Sequence, residues 1–165
     1  MFVLLINIVC IKFTDKVIFL NYIYMHKTVK NLLDIENNIK TYLNKLNINN
    51  NPKIIAVSKT FKIDKILPLV DHGHIDYGEN KVQEAAEKWI HVKEKNAQIK
   101  LHMIGKLQTN KVKLAVQIFD YIHSVDSEKL AKKIANEQNK INKNIKIFLQ
   151  VNIGDENQKS GINKN

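Results

Sequence analysis

The feature that most constrains this chain is a regular alternation of short apolar runs with helix-like segments. Five apolar runs begin roughly two dozen residues apart, at residues 53–60, 75–80, 99–106, 121–125 and 146–153. The first has the length and β-branched content of a buried strand, the other four can also form strands, and one segment with apolar residues at helical spacing separates each from the next. Such alternation is typical of repeated βαβ units, so it predicts a parallel sheet.

Two architectures share this alternation, the doubly wound open sheet and the (β/α)8 barrel. A dinucleotide-binding doubly wound sheet carries G-x-G-x-x-G in the turn after its first strand, whereas this turn is S-K-T-F-K-I-D. We therefore predict an α/β fold of the (β/α)8 TIM-type barrel class. A complete barrel takes about 250 residues. The 165 residues of this chain predict a barrel truncated after about five strands.

The helix predicted after the second strand has a clear apolar face. Its apolar residues at helical spacing are Val82, Ala85, Ala86, Trp89 and Ile90. A face of this width packs against a sheet in soluble proteins. We predict that Trp89, Val82 and Ala86 belong to the core.

The first two dozen residues are the most apolar part of the chain. Lysine and aspartate interrupt them, so they fit neither a secretory signal nor a spanning helix. Met25 is followed at once by polar, helix-like sequence, and we predict that translation starts there. Residues 1–24 are then a non-native apolar extension, and residues 25–165 are a partial barrel domain. The alternative is that residues 1–24 belong to the native protein and associate with a membrane. A membrane partner is expected only in that case.

The positive charge of the chain suggests anionic partners, but its composition limits which classes of anionic partner are expected. The formal net charge is +10, and all 26 basic residues are lysine. Arginine makes the bidentate contacts that read bases and phosphates, so its absence argues against specific nucleic-acid binding. A basic module that binds anionic polymers by charge alone stays open. The single cysteine, Cys10, indicates a reducing cytoplasm, and no Cys/His cluster has zinc-ligand spacing.

Lys59 is the sharpest candidate for chemistry. It closes the first strand, in I-I-A-V-S-K-T, and reactive groups of parallel barrels lie at the carboxyl ends of strands. There its amine is expected to point into the barrel mouth, where partial desolvation lowers its pKa and favours a Schiff base with an aldehyde. The alternative is a solvated lysine in a loop.

Other strand ends also carry polar residues. Asn80 follows the second strand, His102 lies in the third, and Asn152 lies near the end of the fifth. Asn80 and His102 offer hydrogen bonds that can orient a cofactor ring or hydroxyl. Each has a structural alternative: a turn residue, a satisfied core histidine and an Asx turn, respectively. Gly105 is predicted to allow close backbone approach.

Five segments in order resemble the signature segments of the pyridoxal phosphate homeostasis protein family. They are I-I-A-V-S-K-T, Y-G-E-N-K-V-Q-E, L-H-M-I-G-K-L-Q-T-N-K, I-H-S-V-D and Q-V-N-I-G-D-E-N-Q-K-S-G-I, between about residue 28 and residue 162. The resemblance implies a barrel similar to the N-terminal domain of alanine racemase, in which Lys59 holds pyridoxal 5′-phosphate as a Schiff base. It also implies a cytoplasmic protein of vitamin B6 homeostasis without established turnover.

The resemblance stops before the end of the family's barrel. Family members continue for several strands beyond S-G-I, and their later Gly/Ser-rich loops bind the cofactor phosphate. Because this chain lacks those loops, we expect a truncated copy that binds the cofactor weakly or not at all. The alternative function is a pyridoxal-phosphate-dependent racemase or decarboxylase-like enzyme, with Lys59 as a proton-transfer base. That function needs a partner acid and a second domain, and the sequence shows neither.

Overall fold

The computed structural model describes residues 25–50, 52–154 and 161–163. Residues 1–24, where the sequence predicts an apolar extension, lie outside the described residues. The described residues form two compact units. No helix among them is long and apolar enough to cross a membrane.

The first unit comprises residues 25–50 and Leu67–His72. It contains helix α1, Lys27–Lys45, and the short helix α2, Leu67–Asp71. The ring of His26 accepts a hydrogen bond from the N–H of Thr28 and so satisfies one of the free amides at the start of α1. Two apolar side chains of α1 are buried, Val29 and Leu32.

The second unit contains the predicted alternation of strands and helices. Its elements, in chain order, are β1 Ala56–Val57, β2 Asp76–Glu79, α3 Val82–Lys95, β3 Lys100–Met103, α4 Val112–Ile118, β4 Tyr121–Val125, α5 Glu128–Lys140, β5 Lys146–Leu149, β6 Val151–Asn152 and β7 Ile162–Asn163. Two short 3₁₀ helices, Ile63–Lys65 and Thr109–Lys111, lie after β1 and before α4. Helix α4 contacts both α3 and α5, so the three helices form a row.

Strands β1 to β5 form one parallel sheet in the order β1-β2-β3-β4-β5. Every strand therefore neighbours the next strand in the sequence. A doubly wound sheet reverses its strand order at a switch point, whereas a (β/α)8 barrel does not. The sequential order confirms the predicted parallel α/β architecture, as a five-stranded part of such a barrel.

Side chains alternate between the two faces of this sheet. Tyr77 pairs in register with Leu101, and the ring of Tyr77 lies against Trp89 of α3 with ring centroids 4.6 Å apart. This helix-covered face is buried. Gly78 pairs with His102, and His102 pairs with Tyr121, so these residues share the opposite face. We call that opposite side the inner face.

The fifth strand is shorter than predicted. The sequence predicts one strand over residues 146–153, but β5 ends at Leu149, and β6 pairs with β7 in a separate two-stranded sheet. The N–H of Ile162 donates to the carbonyl of Gln150, 2.8 Å away. A Cβ on Gly161 would lie 2.5 Å from the amide nitrogen of Asn152. Glycine has no Cβ and allows this approach. The distant segment that contains β7 therefore pairs with the chain directly after β5.

Candidate functional site

Lys59 lies in a turn at the carboxyl end of β1, formed by residues 58–60 and called here the Lys59 turn. The N–H of Ser58 donates to the carbonyl of Gly78, 2.9 Å away, and Ser58 is buried. Lys59 is exposed, so the expected partial desolvation is wrong for this chain. The reason is that β1 is an edge strand with β2 as its neighbour in the sheet. No other described residue forms a hydrogen bond or ion pair with the Lys59 amine.

A buried carboxylate supports this turn from β2. Glu79 is fully buried, and its Oε1 accepts hydrogen bonds from Ser58 Oγ (2.7 Å), Lys88 Nζ (2.9 Å) and Trp89 Nε1 (2.9 Å). Its other oxygen, Oε2, is buried and has no hydrogen-bond partner among the described residues. A buried carboxylate requires partners of this kind, because an unpaired charge costs several kcal/mol. Glu79 therefore joins the end of β1 to helix α3.

Lys88 connects the same carboxylate to both sides of the Lys59 turn. Its Nζ also donates to the carbonyl of Ser58 (2.9 Å) and to Glu84 Oε1 (3.3 Å). Glu84 Oε1 accepts from the N–H of Thr60, 2.9 Å away. We call Ser58, Glu79, Glu84 and Lys88 the Glu79–Lys88 cluster. It forms hydrogen bonds with both chain neighbours of Lys59.

The charge of Glu84 depends on these contacts. The Thr60 N–H lowers the pKa of the Glu84 carboxyl below its ordinary value, burial opposes that effect, and Lys88 lowers the pKa further. Glu84 and Lys88 were not predicted from the sequence. One signal was available: the two residues stand four apart in E-A-A-E-K, which is the spacing of a helical ion pair.

Asn80 and Gly105 meet at the same end of the sheet. Asn80 is half-buried and follows β2 directly. Val57 pairs with Gly78, and two residues further along each chain segment stand Lys59 and Asn80. A Cβ on Gly105 would lie 2.4 Å from the carbonyl oxygen of Asn80, so the predicted close backbone approach is confirmed. The structure thus brings Lys59 and Asn80 to neighbouring strand ends.

His102 is buried on the inner face with both ring nitrogens occupied. Its Nε2 lies 3.0 Å from Asp76 Oδ1, and its Nδ1 lies 2.9 Å from His123 Nε2. Its ring stacks on Tyr121, with centroids 4.2 Å apart and planes 3° apart. These contacts favour the alternative in which His102 is a hydrogen-bonded core histidine over the prediction that it contacts a cofactor. Local patterns could not predict these partners, because they depend on strand register.

Asn152 does not lie in the five-stranded sheet. It belongs to β6 and pairs with Asn163 of β7. The prediction that Asn152 ends the fifth strand is therefore wrong, because pairing with the later segment separates β6 from β5. Asn152 thus lies after the carboxyl end of β5, outside the five-stranded sheet.

His123 is half-buried at the outer end of the Asp76–His102–His123 chain. Its ring stacks on Phe148 of β5, with centroids 4.5 Å apart. Burial lowers the pKa of His123 below its ordinary value, and the neighbouring His102 lowers it further. The folded chain therefore binds a proton at His123 less readily than the unfolded chain does.

We expect the stability of the second unit to fall as the pH drops below about 6.5, the ordinary histidine value. A histidine whose pKa is lowered on folding contributes stability above its unfolded pKa, and this contribution is lost as the pH decreases through that value. Urea denaturation at pH values from about 7.5 to about 5 measures the effect. His123→Gln should flatten the decrease, whereas replacing the exposed His91 by glutamine should keep it. An unchanged decrease in the His123 variant would exclude His123 as its source.

Comparison with known proteins agrees with the fold. The family profile for the alanine racemase N-terminal domain matches residues 31–165. The chain therefore belongs to the alanine racemase N-terminal domain family. The pyridoxal phosphate homeostasis protein of Haemophilus influenzae is 40% identical over 134 residues, which are 80% of this chain and 56% of that protein. The protein of the same name from Pasteurella multocida is 38% identical over 113 residues, 68% of this chain and 48% of that protein.

Solved structures give the same result. PipY of Synechococcus elongatus PCC7942, solved with PLP bound, is 34% identical with a TM-score of 0.62, over 74% of this chain and 57% of PipY. A crystal structure from Bifidobacterium adolescentis has a TM-score of 0.70 at 28% identity, over 78% of this chain and 56% of that one. The resemblance to pyridoxal phosphate homeostasis proteins is confirmed. The chain spans about half the length of the curated relatives that it matches.

Proposed function

We propose that this chain binds pyridoxal 5′-phosphate through Lys59 and takes part in pyridoxal phosphate homeostasis. The observation that carries the proposal is the Lys59 turn: an exposed lysine at the carboxyl end of β1, with both neighbouring residues hydrogen-bonded to side chains of the Glu79–Lys88 cluster. The names of the relatives and the PLP bound to PipY support it. The relatives thus suggest the ligand, and the exposed Lys59 supplies an amine that can react with its aldehyde.

The residues present fit the aldehyde end of this cofactor. Bound pyridoxal phosphate supplies an aldehyde that condenses with a lysine amine, losing water and leaving a C=N bond that borohydride reduces. The Lys59 amine is free of partners within the described residues, whereas Lys88 uses its three N–H donors on Ser58, Glu79 and Glu84. Asn80, at the neighbouring strand end, is the proposed second contact. His102 is less suited to contact the cofactor, because both of its ring nitrogens already have partners. Asn152 is less suited because it lies outside the five-stranded sheet.

We further propose a carrier role without catalytic turnover, in the cytoplasm. The relatives are named homeostasis proteins, and a carrier needs only a reversible bond to the cofactor. The single cysteine agrees with a reducing compartment.

Selective labelling of Lys59 tests the proposal. The purified chain is incubated with pyridoxal 5′-phosphate and reduced with borohydride, and the modified lysines are mapped by peptide mass spectrometry. We expect Lys59 to carry most of the label at low cofactor concentration, and Lys59→Ala to lose it. Lys62→Ala is the matched control, because Lys62 is another exposed lysine three residues away. Labels spread evenly over the exposed lysines would overturn the proposal.

A further inference from the structure

The hydrogen bonds around the Lys59 turn converge on one side chain of helix α3. Lys88 is almost fully buried, with 8% of its side chain exposed, and Glu79 is fully buried. All three donors of its ammonium are used, on a carbonyl of the turn and on two carboxylates. Pairing of this kind gives a rigid arrangement, because moving a buried ion away from its partners has a large free-energy cost.

The turn itself adopts a conformation that needs support. Thr60 has φ 66°, in the left-handed region that β-branched residues rarely adopt. Its N–H donates to Glu84, and Glu84 is in turn held by Lys88. On the other side of Lys59, the carbonyl of Ser58 accepts from Lys88. Lys88 therefore restrains the backbone on both sides of Lys59, directly at Ser58 and through Glu84 at Thr60.

We propose that Lys88 is a positioning residue for Lys59, holding the turn in the conformation from which the Lys59 amine reaches an aldehyde. This inference rests on the proposed function, because it assigns a role toward the same ligand. Lys88 does not react itself. A displacement of about 1 Å at a reacting atom can reduce a rate by about a hundredfold, so restraint of the turn changes the reactivity of Lys59.

A second lysine on the same helix provides a matched control. Lys93 donates to the carbonyl of Ile118 (3.0 Å) and to Asp120 Oδ2 (2.7 Å). Like Lys88, it joins α3 to a backbone carbonyl and a carboxylate of another element. Its partners lie at the end of α4 and directly before β4, not in the Lys59 turn. Loss of Lys93 therefore reports what a structural lysine bridge contributes.

The experiment compares the rate of Lys59 labelling by pyridoxal 5′-phosphate and borohydride in the unaltered chain, Lys88→Met, Lys88→Arg and Lys93→Met. We expect Lys88→Met to slow labelling at Lys59 by at least about tenfold, Lys93→Met to stay within about twofold, and Lys88→Arg to recover part of the rate. Urea denaturation of each variant separates lost stability from lost reactivity. Glu84→Ala removes the acceptor of the Thr60 N–H at a half-exposed position, where the substitution is expected to be tolerated. This variant tests the positioning role if Lys88→Met does not fold.

Three outcomes are distinguishable. Slower labelling in the Lys88 and Glu84 variants, with an unchanged rate in Lys93→Met, supports the positioning role. Equal rates in all folded variants, or an equal loss in Lys93→Met, would overturn it while leaving the proposed function intact. If the unaltered chain shows no selective label at Lys59, the proposed function fails and the positioning role fails with it.

Discussion

Replacing Trp89 by alanine is expected to reduce the free energy of unfolding of the second unit by about 3–5 kcal/mol. Trp89 is fully buried, and its ring lies against Tyr77. The substitution removes this apolar contact and leaves a cavity under β2. It also removes one of three donors to the buried Glu79 oxygen, and the loss of this buried hydrogen bond adds to the effect.

Urea denaturation followed by circular dichroism measures this loss. Ile90→Ala is the control, because Ile90 is the next residue of α3 and 44% of it is exposed. We expect Ile90→Ala to change the free energy of unfolding by no more than about 0.5 kcal/mol. Similar losses in the two variants would contradict burial of Trp89 as the source of the effect.

Gly105→Ala is the second substitution with a large expected effect. The new Cβ would lie 2.4 Å from the Asn80 carbonyl oxygen and 2.8 Å from the Asn80 Cα. Both atoms are backbone, so the strand ends must move apart. Overpacking of this kind costs about 1–3 kcal/mol. Because Asn80 moves with its backbone, selective labelling of Lys59 should also change in this variant if Asn80 contacts the cofactor.

Gly78→Ala is the matched control for this effect. Gly78 is also a glycine of the sheet region, but its nearest neighbours are side-chain ends, Ile104 Cδ1 at 3.1 Å and Ile55 Cγ2 at 3.2 Å. Side chains can rotate away at a lower cost than backbone. The urea midpoint should therefore fall further in Gly105→Ala than in Gly78→Ala. Equal midpoints would contradict the backbone contact at Gly105.

Local patterns predicted the parts of the fold that depend on short-range sequence. The strand over residues 121–125 is predicted and found with the same bounds, and Trp89 is buried as its helical spacing indicates. Ile90 was assigned to the same apolar face, but it is exposed, because periodicity does not give the exact width of a packed face. The first strand extends over two residues, since an edge strand has one neighbour to pair with.

Contacts between distant segments account for what the sequence did not predict. Lys59 and Asn80 were found as strand-end residues, because a parallel sheet brings those ends to one edge. The exposure of Lys59 could not be foreseen, since it depends on which strands flank β1. The partners of His102 depend on the register of β2, β3 and β4. Separation of β6 from β5 depends on a segment that starts at Gly161.

Asp76 determines how His123 interacts with its surroundings, although the two side chains do not touch. The carboxylate of Asp76 accepts from Nε2 of His102, so the proton of the neutral His102 ring lies on that nitrogen. Nδ1 of His102 is then an acceptor, and Nε2 of His123 must donate to it. A neutral His123 consequently keeps a lone pair on Nδ1. Protonation converts that lone pair into an N–H, so acidification changes Nδ1 of His123 from a hydrogen-bond acceptor into a donor.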